Sequence, residues 1–241
     1  LVLDRVKTVV LDEADEMLSM GFIDDIELIL SKLPTERQTA FFSATMAPPI
    51  RSLVNRFLNN PITVTVDQVK AAPSKIKQQV YFIPRGWTKA QALQPILELE
   101  QPESAIIFVR TRKAAAELTN QLQSAGHSAD EYHGDLTQTQ RERLLTRFRS
   151  DKVRWIVATD IAARGLDVDH LSHVINYDLP DSVENYIHRI GRTGRAGKEG
   201  VAISLIHSLD RRKLQAIERR VKQNLAVCQI PTRSQVEAAH V

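Results

Sequence analysis

Two stretches of this chain carry residue types suited to phosphate chemistry. Residues 188–195 read His-Arg-Ile-Gly-Arg-Thr-Gly-Arg. Arg189, Arg192 and Arg195 recur every third residue, and Gly191 and Gly194 let the backbone come close to whatever the guanidinium groups hold. The spacing predicts that these arginines converge on one phosphate. Far upstream, Asp12-Glu13-Ala14-Asp15 follows the apolar run Val9-Val10-Leu11. An acidic pair at the end of a buried strand suits a nucleotide-bound Mg²⁺. That ion keeps several waters, so one carboxylate suffices as its protein contact, and Asp12 fits. Glu13, beside it on the metal side, is placed to orient or deprotonate an attacking water. Asp15 is better placed to bond within the protein. Plainer readings stand alongside: acidic residues are common at helix starts, and a basic helix end is commonly solvated.

The elements that must position these groups alternate along the chain. Val6–Leu11 reads as a buried strand, Phe22 to Leu33 as a helix, Thr39–Phe42 as a strand and Ile50–Leu58 as a helix. Ile62–Val66 alternates as a third strand. Residues 67–78 lose periodicity and read as a linker. Strands are then predicted at Val80–Ile83, Ala105–Val109, Ser128–Tyr132, Trp155–Ala158, His173–Tyr177 and Val201–Leu205, with helices in most of the intervals. That pattern predicts an α/β fold with mostly parallel sheets covered on both faces. Ser208–Asn224 reads as a basic amphipathic helix, and its stretch Arg211–Lys222 as a solvated face. Thr232 and Gln235 form a capping-box start to one more helix. Trp87 and Trp155 read as packing residues.

In open parallel sheets, ligands bind at the carboxyl ends of the strands. Polar clusters fall repeatedly at such ends: Asp12-Glu13, Ser43-Ala44-Thr45, Arg110-Thr111, His133-Gly134-Asp135, Thr159-Asp160 and Tyr177-Asp178. Each alone reads equally well as a turn or helix cap, and Arg141 as a solvated arginine on a charged helix. Their recurrence at strand after strand is harder to assign to turns.

Composition narrows the classes. The 241 residues are 43% hydrophobic and 25% charged, with a net charge of +3, which permits nucleic acid as a partner without demanding it. The single cysteine, Cys228, excludes an internal disulfide and a cysteine-rich zinc site and predicts a reducing, cytoplasmic setting. Apolar runs are strand-length, so no membrane span or membrane partner is expected. A leucine at position 1, with a strand close behind it, predicts a piece of a longer protein.

Together the motifs resemble those of the DEAD-box ATP-dependent RNA helicases of superfamily 2, from about Val6 to Asn224. Asp12–Asp15, Ser43–Thr45, Ile106–Thr111, His133-Gly134-Asp135 with Gln138 and Arg141, Thr159–Asp167 and His188–Arg195 match in order. Residues 81–86 and Pro231-Thr232-Arg233 are most similar to bacterial cold-shock members, cyanobacterial ones included. The resemblance implies ATP and Mg²⁺ as cofactors and RNA as partner, held by its backbone without sequence reading. It implies that Arg192 and Arg195 are arginine fingers, that Asp167, with Gly165 in the same motif, and His188 serve the nucleotide, and that Ser43 and Thr45, tied to Asp15, couple the domains. Arg110, Thr111, Gly134, Gln138, Arg141 and Thr159 would hold RNA. Ribosomal or RNA-degradation partners stay open, as does oligomerisation through the last segment.

One departure is plain. The family's phosphate loop, Gly-x-x-x-x-Gly-Lys-Ser/Thr, is nowhere in the chain; Gly197-Lys198 is followed by Glu199. The expected organisation is therefore the C-terminal part of a first RecA-like domain (1–66), a linker (67–78), a complete second RecA-like domain (79–224) and the start of a C-terminal extension (225–241). Two readings follow: part of an RNA-unwinding ATPase, with this fragment alone inactive, or a non-enzymatic RNA-binding module. A DNA helicase is a third.

Overall fold

The computed structural model describes residues 2–66, 75–164, 166, 168, 170–195, 197–222 and 225–239. The chain divides into two compact units, Leu1–Asp67 and Gln68–Val241. Among the described residues, no helix is long and apolar enough to cross a membrane.

The first unit runs β1 (Thr8–Leu11), α1 (Ala14–Ser19), α2 (Ile23–Ser31), β2 (Gln38–Phe41) and α3 (Pro48–Phe57). Strands β1 and β2 pair in parallel, Thr8 opposite Gln38. Helix α3 starts on Pro48, whose missing N–H costs nothing at a first helical turn. The core is small: Ile26, Leu30 and Leu53, flanked by Val9, Leu11, Phe41 and Phe57. The third strand expected at 62–66 does not form. Alternation makes a strand only where a neighbouring ladder accepts it, and here the apolar positions Ile62, Val64 and Val66 stand in solvent.

The second unit continues β3 (Ile76–Phe82), α4 (Lys89–Glu100), β4 (Ala105–Phe108), α5 (Arg112–Ser124), β5 (Ala129–Tyr132), α6 (Gln138–Arg149), β6 (Trp155–Ala158), α7 (Asp160–Ala163), β7 (His173–Asn176), α8 (Val183–Ile190), β8 (Gly200–Ile206), α9 (Arg211–Val221), β9 (Ala226–Cys228) and α10 (Arg233–Ala239). All seven strands are parallel, in the order β5-β6-β4-β7-β8-β3-β9. Because side chains alternate across a strand, Ile106 and Phe108 enter one apolar layer and Ile107 the other. Helices cover both faces, as continuous apolar strands require.

Two boundaries need correction. The linker expected over 67–78 is shorter, because β3 already begins at Ile76; residues 67–74 lie outside the described residues. Gln78 and Gln79 hid the strand. Both are buried, and Gln78 Oε1 accepts the Tyr186 hydroxyl at 2.8 Å. Likewise, the segment expected to start a C-terminal extension at 225 lies within the second unit: β9 adds to the sheet beside β3, with Gln79 opposite Ala226. The Thr232–Gln235 capping box forms as expected, Thr232 N donating to Gln235 Oε1 at 2.9 Å. Of the tryptophans, Trp155 packs as predicted, buried with Nε1 donating to Pro102 O at 3.0 Å. Trp87 does not, being 46% exposed.

Candidate functional site

Asp12 and Glu13 leave the end of β1 and are both exposed. Glu13 sits at φ 50, ψ 44, the left-handed region that side chains other than glycine, asparagine and aspartate rarely enter. The bend carries the chain from strand to helix at once: buried Ala14 donates its N–H to Phe42 O at 3.0 Å. Asp12 Oδ1 accepts the Glu13 N–H at 2.9 Å, which fixes the carboxylate beside the elbow. Among the described residues no group of three or more His, Cys, Asp or Glu side chains could hold a metal ion. A Mg²⁺ held mainly by water and phosphate needs no such group, so the single Asp12 carboxylate fits it.

Asp15 turns into the protein. Its Oδ2 accepts both the N–H and the Oγ1–H of Thr45 at 2.9 Å, and its own N–H donates to Ser43 Oγ at 3.3 Å. Ser43 Oγ in turn donates to Thr45 O at 2.7 Å. Three residues from two strand ends thus close one network. Burial alone would raise the Asp15 carboxyl, but the hydrogen bonds from Thr45 and Ser43 outweigh it and hold it below its ordinary value.

In the second unit the three arginines separate. Arg189 lies on the face of α8 that carries Tyr186 and Ile190, and it is buried. Its Nε and Nη2 donate to the two oxygens of Asp160 at 2.6 Å, and its Nη1 to Asn176 Oδ1 at 3.0 Å and Asp178 O at 2.6 Å. The guanidinium also lies 4.7 Å from the Phe108 ring centroid. It is a structural clamp, so the convergence of all three arginines on one phosphate is wrong. The Tyr186, Arg189, Ile190 spacing signalled this core-facing position. Arg192 is half-buried and donates to Leu166 O at 2.8 Å; Arg195 and His188 are exposed. Thr193 between them is buried, its hydroxyl donating to the carbonyls of Leu171 and Ser172. Gly194, at φ +66, packs so tightly that an added Cβ would lie 2.6 Å from Ile76 Cγ1. Gly165 and Asp167 lie outside the described residues.

The remaining candidates gather at one end of the sheet. Arg110 and Thr111 follow β4, Gly134 follows β5 and Thr159 follows β6, and these are three adjacent strands. Thr111 caps α5, accepting Ala114 N–H at 3.1 Å. Gln138 and Arg141 ride the first turns of α6, which Thr137 and Gln140 start as a capping box. Arg141 donates to Leu136 O at 3.2 Å and to Gly134 O at 3.4 Å, holding the Gly134 loop in place. Gln138 bonds Glu142 at 3.0 Å and stays exposed. Sequence reasoning placed Asp178 at a strand end but missed its tie to Arg110, and it missed Asp181 altogether. Asp178 Oδ2 accepts the Arg110 N–H at 2.8 Å while its Oδ1 accepts Lys89 Nζ at 2.6 Å. Asp181 lies between Arg110 Nη2 at 3.8 Å and Lys213 Nζ at 2.5 Å. The Lys213 hydrogen bond holds the Asp181 carboxyl below its ordinary range.

A parallel sheet with helices on both faces and its polar clusters at the strand ends is the RecA-like fold of helicase cores. Residues 1–53 match the DEAD/DEAH box helicase family, and residues 88–197 match the helicase conserved C-terminal domain. The RNA helicase CrhR of Synechocystis sp. is 65% identical over all of this chain, which covers 49% of that protein. The structure of S. cerevisiae Dbp5 bound to RNA and ADP BeF3 is 35% identical, with a TM-score of 0.82 over 100% of this chain and 63% of the other. The C-terminal domain of the DEAD-box protein Dbp5 is 36% identical with a TM-score of 0.63; 68% of this chain matches 96% of it. The chain belongs to the DEAD-box family of RNA helicases. It spans about half the length of the curated relatives it matches.

Proposed function

We propose that this chain is the part of an ATP-dependent RNA helicase that grips the RNA backbone and completes the ATP site, in a protein that remodels RNA by ATP-driven closure of two RecA-like units. The reading rests above all on one observation. Arg110, Thr111, Gly134 and Thr159 emerge from the carboxyl ends of three adjacent strands, with Gln138 and Arg141 beside them. Backbone amides, hydroxyls and guanidinium groups at such an end suit phosphate and 2′-OH contacts, which select RNA by its backbone rather than its sequence. Arg192, Arg195, His188 and Asp167 are assigned to nucleotide. Asp12 is assigned to Mg²⁺, which would offset charge on the phosphates when bound, and Glu13 to holding the attacking water. Ser43, Thr45 and Asp15 are assigned to coupling.

The test is RNA binding by the 241-residue chain over a range of salt. Counterion release predicts a steep loss of affinity as salt rises, and Arg141→Ala should weaken binding alike for all sequences. Preference for DNA, or binding indifferent to salt, would overturn the reading. The missing phosphate-loop sequence favours a second reading, a non-enzymatic RNA-binding module. ATP turnover by the full-length protein, lost on Glu13→Gln, decides against it.

A further inference from the structure

Trp87 is a large aromatic left nearly half in water, at 46% exposure, in the loop that leaves the end of β3. A half-exposed indole at a strand end offers a flat apolar face and a polar N–H to a ligand. The loop is firmly shaped: Trp87 N donates to Pro84 O at 3.1 Å, Gly86 takes φ +86, and Thr88 caps α4 through a capping box. Arg85, two residues before Trp87, is exposed. Two residues on, Lys89 reaches Asp178 at 2.6 Å, the same carboxylate that receives the Arg110 amide at 2.8 Å. One side chain therefore ties the Trp87 loop to the candidate RNA contact Arg110. In the sheet, β3 is three strand spacings from β4, roughly 14–15 Å, so both loops open at the same end and a few nucleotides would bridge them.

We infer that Trp87, with Arg85 two residues before it in the same loop, is a base-stacking platform for single-stranded RNA that continues the backbone track of Arg110. An aromatic face adjoining cations binds single strands without reading sequence, because every base has a π-face. The inference rests on the RNA-binding reading above. It adds a contact to bases where that reading has contacts only to backbone.

The chain carries its own reporter. Trp155 is 4% exposed and hydrogen-bonded, so quenching of tryptophan emission on adding RNA reads Trp87. The probes are a short oligouridylate and an abasic oligonucleotide of the same length. Oligouridylate should quench emission, and the abasic strand should bind more weakly and leave emission unchanged. Trp87→Ala should weaken oligouridylate binding about 5- to 100-fold, Trp87→Phe should restore most of it, and the salt slope should hold in both variants. Arg141→Ala, by contrast, should lower the slope. Unquenched emission and wild-type affinity in Trp87→Ala, with Arg141→Ala still impaired, would overturn the platform and leave the backbone reading intact. Failure of the unaltered chain to bind oligouridylate at all would overturn both.

Discussion

Arg189 holds Asp160 through two parallel hydrogen bonds, Nε to Oδ1 and Nη2 to Oδ2, each 2.6 Å long. Arg189 is 4% exposed and Asp160 33%. Removing one partner of a buried pair leaves an uncompensated charge, a loss of about 3–5 kcal/mol. With Asp160 part-exposed, Arg189→Ala should cost the second unit about 3 kcal/mol, read by urea unfolding. Arg189→Lys should recover little, since an ammonium cannot make the forked contact. A loss under about 1 kcal/mol for the alanine variant would place the pair with ordinary surface salt bridges.

Arg192 and Arg195 should behave differently. In the full-length protein, alanine at either position should lower kcat by about 10³–10⁵, the range arginine fingers supply. RNA affinity should change little. A rise in KM for ATP alone, with turnover intact, would remove them as arginine fingers. Because Arg192 also donates to Leu166 O at 2.8 Å, Tm should be recorded for each variant.

Gly200 opens β8 against the Thr193–Gly194 turn. An added Cβ would lie 2.2 Å from Thr193 Oγ1 and 2.6 Å from Gly194 N. Backbone cannot step aside as a flexible side chain does. Gly200→Ala should therefore destabilise the second unit by about 1–3 kcal/mol, the usual range for overpacking. An unchanged denaturation midpoint would show that the turn yields.

The Asp15 network predicts a pH dependence confined to acid. Its folded carboxyl is held below the ordinary value of 3.8 by Thr45 and Ser43 against the opposing effect of burial. A depressed carboxyl gives stability that is complete above 3.8 and is lost as pH falls through the folded value. Thr45→Val should move the Asp15 titration upward and shrink the acid-side loss in the first unit, followed by carbon-detected NMR. A titration midpoint unmoved by the substitution would remove Thr45 as the cause.

Residues 2–66 should exchange amide hydrogens faster than the strands from Ile76 onward. Their sheet has two strands, and few apolar side chains among them are buried: Ala14, Ile26, Leu30, Ile50 and Leu53. Small parallel pairs with little buried surface open readily. Equal protection in β1 and β4 would contradict this. With no phosphate-loop sequence to cradle nucleotide, the 241-residue chain should also lack ATP turnover.

Most of the second unit was legible because its strands are apolar on both faces and its turns carry caps, as at Thr111, Thr137 and Thr232. What escaped was set by tertiary partners. Gln78 read as linker, yet its backbone pairs with the neighbouring strand and its side chain accepts the Tyr186 hydroxyl inside the sheet. Ile62, Val64 and Val66 read as strand, yet have no ladder to join. Arg189 was placed with its neighbours by spacing alone, although Asp160 and Asn176, remote in sequence, decide its role. The Asp178 link between Lys89 and Arg110 joins three distant segments and leaves no local pattern.

The strand order has a further consequence, for the making of the protein. β3 opens the second unit but pairs only with β8 and β9, so Ile76 waits for Gly200, 124 positions later. At about 5–20 residues per second of synthesis, the wait is roughly 6–25 s. Throughout it Val80 and Tyr81, buried in the finished sheet, sit on a strand with neither neighbour yet made. Unpaired apolar strands of this kind recruit other chains. The growing polypeptide is thus most dependent on chaperone cover after β3 has left the ribosome and before β8 follows it.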